Sequence, residues 1–125
     1  MQPGRRSLLR IIPFFVFVSF LIPAPAAAHA VLLESNPPAK GAVAGPDISI
    51  KLRFNVRIDA SRSRLTLVRP DGSARPLVMG KPDSADTLSA QATSLPPGDY
   101  RLRWQVLASD GHITRGEIPF TVTLS

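Results

Sequence analysis

The sequence predicts an all-β domain: an antiparallel sandwich or barrel of about seven short strands, preceded by a cleavable export signal. Three observations carry this expectation. Apolar residues recur at every second position in several runs beyond residue 28. Turn-forming residues separate those runs. Nine of the thirteen prolines lie after residue 28, where they suit short strands and firm turns and oppose helices. No stretch of comparable length shows the i, i+3, i+4 spacing of an amphipathic helix.

The elements follow in order. A first short strand is expected over Val31 to Glu34, ended by Asn36-Pro37-Pro38 and Lys40-Gly41. Gly45-Pro46-Asp47 then opens a run in which Ile48, Ile50, Leu52, Phe54 and Val56 alternate with Ser49, Lys51, Arg53 and Asn55. Such alternation sets one apolar face on a core and one polar face in water. Leu65 and Leu67 repeat the pattern before the turn Arg69-Pro70-Asp71-Gly72. Leu95-Pro96-Pro97-Gly98-Asp99 introduces a run of Tyr100, Leu102, Trp104 and Val106. Ser109-Asp110-Gly111-His112 links it to Ile118, Phe120, Val122 and Leu124. Seven or so strands in under 100 residues point to an immunoglobulin-like or Greek-key arrangement.

The first 28 residues have the three parts of an export signal. Arg5, Arg6 and Arg10 form a positive start, Ile11 to Ile22 an apolar stretch, and Pro23 to Ala28 a small-residue cleavage segment. The apolar stretch, about twelve residues, is shorter than the roughly 20 a membrane-spanning helix needs. Arg5-Arg6-Ser7-Leu8-Leu9-Arg10 also resembles a twin-arginine signal, so the general secretory and twin-arginine routes both stay open. The expected division is a signal peptide over 1–28 and one β domain over 29–125.

Processing changes the charge argument. The whole chain of 125 residues carries +6, with a pI near 11.1, which first suggests a nucleic-acid binder. The leader holds three of the fifteen basic residues and none of the nine acids, leaving +3 on 97 residues. The remaining basic residues are spread along strand-like runs, and only Phe54, Tyr100, Trp104 and Phe120 supply rings. Clustered charge with stacking rings is missing, so no nucleic-acid partner is expected. The chain has no cysteine, which excludes thiolate metal sites and disulfide staples.

Chemistry concentrates on two histidines. Cleavage after Ala28 would make His29 the first residue, offering an α-amine and an imidazole together. His112 follows Asp110 across Gly111, and in an extended or bulged segment residues i and i+2 point the same way. Asp-Gly is also a turn signal in its own right. Two imidazoles, an amine and a carboxylate make a full set of donors, and nitrogen with oxygen in a tetragonal arrangement suits Cu(II) ahead of Ni(II) or Zn(II). Cu(I) prefers sulfur, and the domain contains only Met79, read as a packing or loop residue.

With these residues in view, the chain resembles the CopC family of periplasmic copper-resistance proteins. The likeness rests on His29-Ala30-Val31-Leu32 with Ser35, Pro37 and Gly41, and on Leu52 with Phe54. It is strongest in Leu95, Gly98, Tyr100, Trp104, Val106, Ser109 to His112, Gly116, Phe120 and Val122. The resemblance implies a cupredoxin-like or immunoglobulin-like β-barrel binding one Cu(II) ion through the His29 amine and side chain, Asp110 and His112. It also implies a periplasmic location, a carrier or buffer role without catalysis, and an inner-membrane copper-transport partner of the CopD type. Two departures stand out. The stretch around Arg69 to Lys81 holds only Met79 in place of a methionine-rich Cu(I) loop, and Asn55, Val56 and Arg57 stand where some members place a glutamate.

Two other classes remain. An N-terminal histidine with a second histidine is also the copper arrangement of polysaccharide monooxygenases, which need an open position for oxygen and a sugar-binding face. Few rings are present for such a face, so no polysaccharide partner is expected. A metal-free structural or adhesion sandwich is the third. A Ser109–His112–Asp110 triad is excluded because the three are too close in sequence for serial hydrogen bonding.

Overall fold

The computed structural model describes residues 29–125; the segment expected to be an export signal lies outside the described residues. Eight strands form among the described residues: β1 (Leu32–Asn36), β2 (Gly41–Ala44), β3 (Ile48–Phe54), β4 (Arg64–Val68), β5 (Ala74–Pro76), β6 (Thr87–Ala92), β7 (Gly98–Leu107) and β8 (Ile113–Thr123). A 3-10 turn, Ala60–Arg62, precedes β4. The strands make two sheets, one of order β1-β3-β6 and one of order β2-β8-β7-β4-β5. This is the β-sandwich expected from the alternating pattern.

The pattern places the core directly. Ile48, Ile50, Leu52 and Phe54 of β3 are buried, while Ser49 and Lys51 between them are exposed. Tyr100, Leu102, Trp104 and Val106 of β7 face them with Ile118, Phe120 and Val122 of β8. Phe54 meets Trp104 edge to face at 5.2 Å, and Tyr100 stacks on Phe120 at 5.8 Å. On the outer face, Arg101 and Arg103 hold Glu117 at 3.2 and 3.0 Å. These are the solvated strand faces that the scattered charge implies.

The start of β7 is fixed by its tyrosine. The Tyr100 hydroxyl donates to the Pro96 carbonyl at 2.7 Å, which pins the Pro96-Pro97-Gly98 approach against the strand. This resembles the tyrosine corner of immunoglobulin-like sandwiches. Gly98 is needed there: its φ is +154°, and a Cβ would fall 2.8 Å from Pro70 Cγ.

Four details depart from the strand reading. The first strand runs on to Asn36, so Asn36 pairs with Lys51 before the prolines turn the chain. β3 stops at Phe54, leaving Val56 half-buried beyond it. Leu124 lies past β8 and is exposed, because β7 ends its pairing at Gly98↔Val122 and offers no neighbour further on. One pairing, β2 with β8, is parallel, since the chain crosses between sheets after β1 and meets β8 in the same direction.

Candidate metal centre

His29 and His112 are separated by 83 positions in sequence, yet their rings lie 5.7 Å apart, centroid to centroid, edge to face. Each adjoins a strand of a different sheet of the sandwich. His29 precedes β1, and His112 closes the turn between β7 and β8. Local bonding explains both placements.

On the first side, Ala30 is buried in the core, which draws the chain inward just after His29. The next residue is held at both backbone groups by Asn55. The Val31 N–H donates to Asn55 Oδ1 at 2.7 Å, and the Asn55 N–H donates to the Val31 carbonyl at 3.0 Å. The β1–β3 register then slips between Leu32 and Glu34, a bulge of the kind that re-aims chain near functional sites.

On the second side, the Ala108 N–H donates to the His112 carbonyl at 2.8 Å and the Gly111 N–H to the Ala108 carbonyl at 2.9 Å. Gly111 has φ +95°, a left-handed conformation that glycine adopts without strain. The segment is therefore the tight turn that Asp110-Gly111 signals, and not an extended or bulged stretch. Asp110 and His112 converge for a different reason: the carboxylate caps its own turn. Asp110 Oδ1 accepts the His112 N–H at 3.1 Å, and Oδ2 lies 3.1 Å from His112 Nδ1. The His112 backbone N–H, followed by its ring, holds the Asp110 carboxyl below the ordinary aspartate value. It remains an acceptor across the neutral range.

The site is open. The side chains of His112 and Asp110 are 49% and 36% exposed, and His29 is exposed as well. Among the described residues, no three histidine, cysteine, aspartate or glutamate side chains gather as a group that could hold a metal ion. A metal site at this end would need a donor beyond these side chains.

Three further residues bear on the sequence expectations. Of Asn55, Val56 and Arg57, Val56 packs half-buried against the core and supplies no donor. Asn55, noted from sequence only as a missing acid, turns out to fasten the start of the domain. Met79 packs partly against the core and bridges Ala90 beside β6, as its reading as a packing residue anticipates.

Comparison with known proteins decides the relationship. The model of the CopC domain matches residues 32–123, a stretch that includes Asp110 and His112 and begins three residues after His29. The chain belongs to the CopC family. A copper resistance protein C from Escherichia coli is 35% identical over 106 residues, covering 78% of this chain and 83% of that protein. The crystal structure of CopC from Methylosinus trichosporium OB3b shares 32% identity with a TM-score of 0.68, over 77% of this chain and 95% of that one. PcoC from Escherichia coli, described as a methionine-rich copper resistance protein, superposes with a TM-score of 0.63 at 31% identity, covering 77% and 100%. The methionine richness is not shared: this CopC-family chain has two methionines in all, Met1 and Met79.

Proposed function

We propose that residues 29–125 form a periplasmic protein that binds one Cu(II) ion as cargo and acts as a carrier or buffer in copper resistance. Residues 1–28 serve as its export signal. The ligands are the His29 amine and imidazole, Asp110 and His112. The observation that supports this most directly is the pairing of the two histidines at 5.7 Å with Asp110 3.1 Å from His112. Membership of a family whose relatives include copper resistance proteins supports the choice of metal.

The chemistry follows from the donors. In the unprocessed chain the His29 nitrogen is a peptide amide joined to Ala28, which is a poor ligand; cleavage turns it into an amine. That requirement makes capture a property of the exported form. Asp110 and His112, already side by side at the turn, would supply a carboxylate oxygen and an imidazole nitrogen to the ion. Nitrogen and oxygen donors suit Cu(II) and hold Cu(I) poorly, so reduction or ligand exchange releases the ion. The exposure of the turn permits a second protein's ligands to approach, consistent with hand-over to an inner-membrane transporter of the CopD type. Asp110 also fills a position that an oxygen-activating ion would need open, which favours carriage over oxidation.

The test is Cu(II) titration of three proteins: the processed form, the same form with one extra residue before His29, and His112→Ala. Tight binding by the first and sharp loss in the others is expected. Equal affinity in all three would remove His29 and His112 from the ligand set. Mass spectrometry of the exported protein should find His29 as its first residue.

A further inference from the structure

The pairing of β1 with β3 ends at Leu32↔Phe54, so residues 29–31 lie beyond the ladder. Chain ends of this kind fray unless something ties them down. Here the ties are the buried Ala30 and the two hydrogen bonds between Asn55 and Val31. An asparagine side chain reproduces the acceptor of a peptide group, so Asn55 extends the ladder by one rung where no strand continues.

The residues after Asn55 hold the other half of the site. The Arg57 carbonyl accepts the Ser109 N–H at 3.0 Å, Ile58 bridges Ala108, and the Asp59 N–H donates to the Leu107 carbonyl at 2.9 Å. One five-residue segment, Asn55 to Asp59, therefore touches the chain two residues after His29 and the chain three residues before His112. The two histidines flank strands of different sheets, and this segment is a bonded path between them.

We infer that Asn55 is a positioning residue of the metal site: its side-chain carbonyl fixes the Val31 peptide and with it the place of His29 opposite the β7–β8 turn. The inference rests on the metal-binding reading above. With Val31 held at both backbone groups and Ala30 in the core, His29 keeps little freedom beyond its own torsions. The ion then meets donors already in place and need not order a frayed terminus. Asn55 does this without touching the ion.

The experiment compares the processed parent with Asn55→Leu, which keeps the size and loses the acceptor, and Asn55→Asp, which keeps the acceptor. Two quantities are read: Cu(II) affinity, and hydrogen exchange of the Val31 amide in metal-free protein. Asn55→Leu should weaken Cu(II) binding by roughly tenfold, the scale for losing an outer support of a metal site, and should leave the Val31 amide unprotected. Asn55→Asp should restore protection of that amide. Thermal unfolding shows whether the variants are folded; if Asn55→Leu is not, Asn55→Ala is read in the same way. A folded acceptor-free variant with parental Cu(II) affinity, or with a protected Val31 amide, overturns the inference and leaves the metal reading intact. A parent that fails to bind Cu(II) overturns both.

Discussion

Gly116 lies directly against the indole of Trp104: a Cβ placed on Gly116 would fall 2.2 Å from Trp104 Cζ2 and 2.4 Å from Cε2. The two residues are paired across β7 and β8, and Trp104 in turn meets Phe54 edge to face. Gly116→Ala therefore forces the ring toward a core that is already filled. Overpacking of this kind costs about 1–3 kcal/mol. Urea denaturation followed by the fluorescence of the single tryptophan measures it directly. A Gly116→Ala protein as stable as the parent would mean that the indole has room to move.

The tyrosine at the start of β7 makes a second prediction. Tyr100 is buried, its hydroxyl donates to the Pro96 carbonyl, and burial pushes its phenol above the ordinary tyrosine value. Tyr100→Phe keeps the ring against Phe120 and removes only the hydrogen bond. The expected loss is about 1 kcal/mol, the net worth of one such bond. Equal unfolding midpoints for the two proteins would deny the hydroxyl a part in fixing the turn.

Acid should weaken the fold through its carboxylates. The Arg103 guanidinium holds Glu117 below its ordinary value, and the Ser61, Ser73 and Ser84 hydroxyls do the same for Asp59, Asp71 and Asp86. Asp110 belongs with them through the His112 N–H. A depressed folded value means that the unfolded chain binds more protons in the acid range, so stability rises with pH there. These contributions are complete above the ordinary carboxylate values and disappear as pH falls through the depressed ones. A melting-temperature profile should be flat toward neutrality and bend downward in acid, and Glu117→Gln should soften that bend. A profile that falls on the alkaline side of neutrality and holds in acid would contradict the sign.

Copper affinity should also fall in acid, for a separate reason. The proposed amine and imidazole donors must be free of protons to bind, so each ion captured releases protons. Competition titrations at two pH values should give a steeper dependence than a carboxylate-only site would show. Adding one residue before His29 should flatten the slope as it weakens binding, because the amine no longer takes part. An unchanged slope would place the amine outside the donor set.

The strands differ in how plainly the sequence announces them. β3, β7 and β8 carry large apolar residues at alternate positions, and each buries that face as expected. β6 leaves little trace in the sequence because its inward residues after Leu88 are Ala90 and Ala92, which mark a face only weakly. β2, with Gly41, Ala42, Val43 and Ala44, is equally faint. The Asp110-Gly111 pair announced a turn, and a turn is what forms; its use of the Asp110 carboxylate to cap the His112 N–H could not be read from spacing.

By itself, the sequence determined the sandwich class, the alternating core and the three candidate donors, since periodicity and side-chain chemistry are local properties of the chain. Tertiary structure decided what those donors are near. The meeting of His29 with His112 depends on two sheets closing over one core and on Asn55, 24 positions from Val31, supplying a backbone-like acceptor. A hydrogen bond between residues so far apart leaves no periodic trace in the chain. It exists only once β1 and β3 lie side by side.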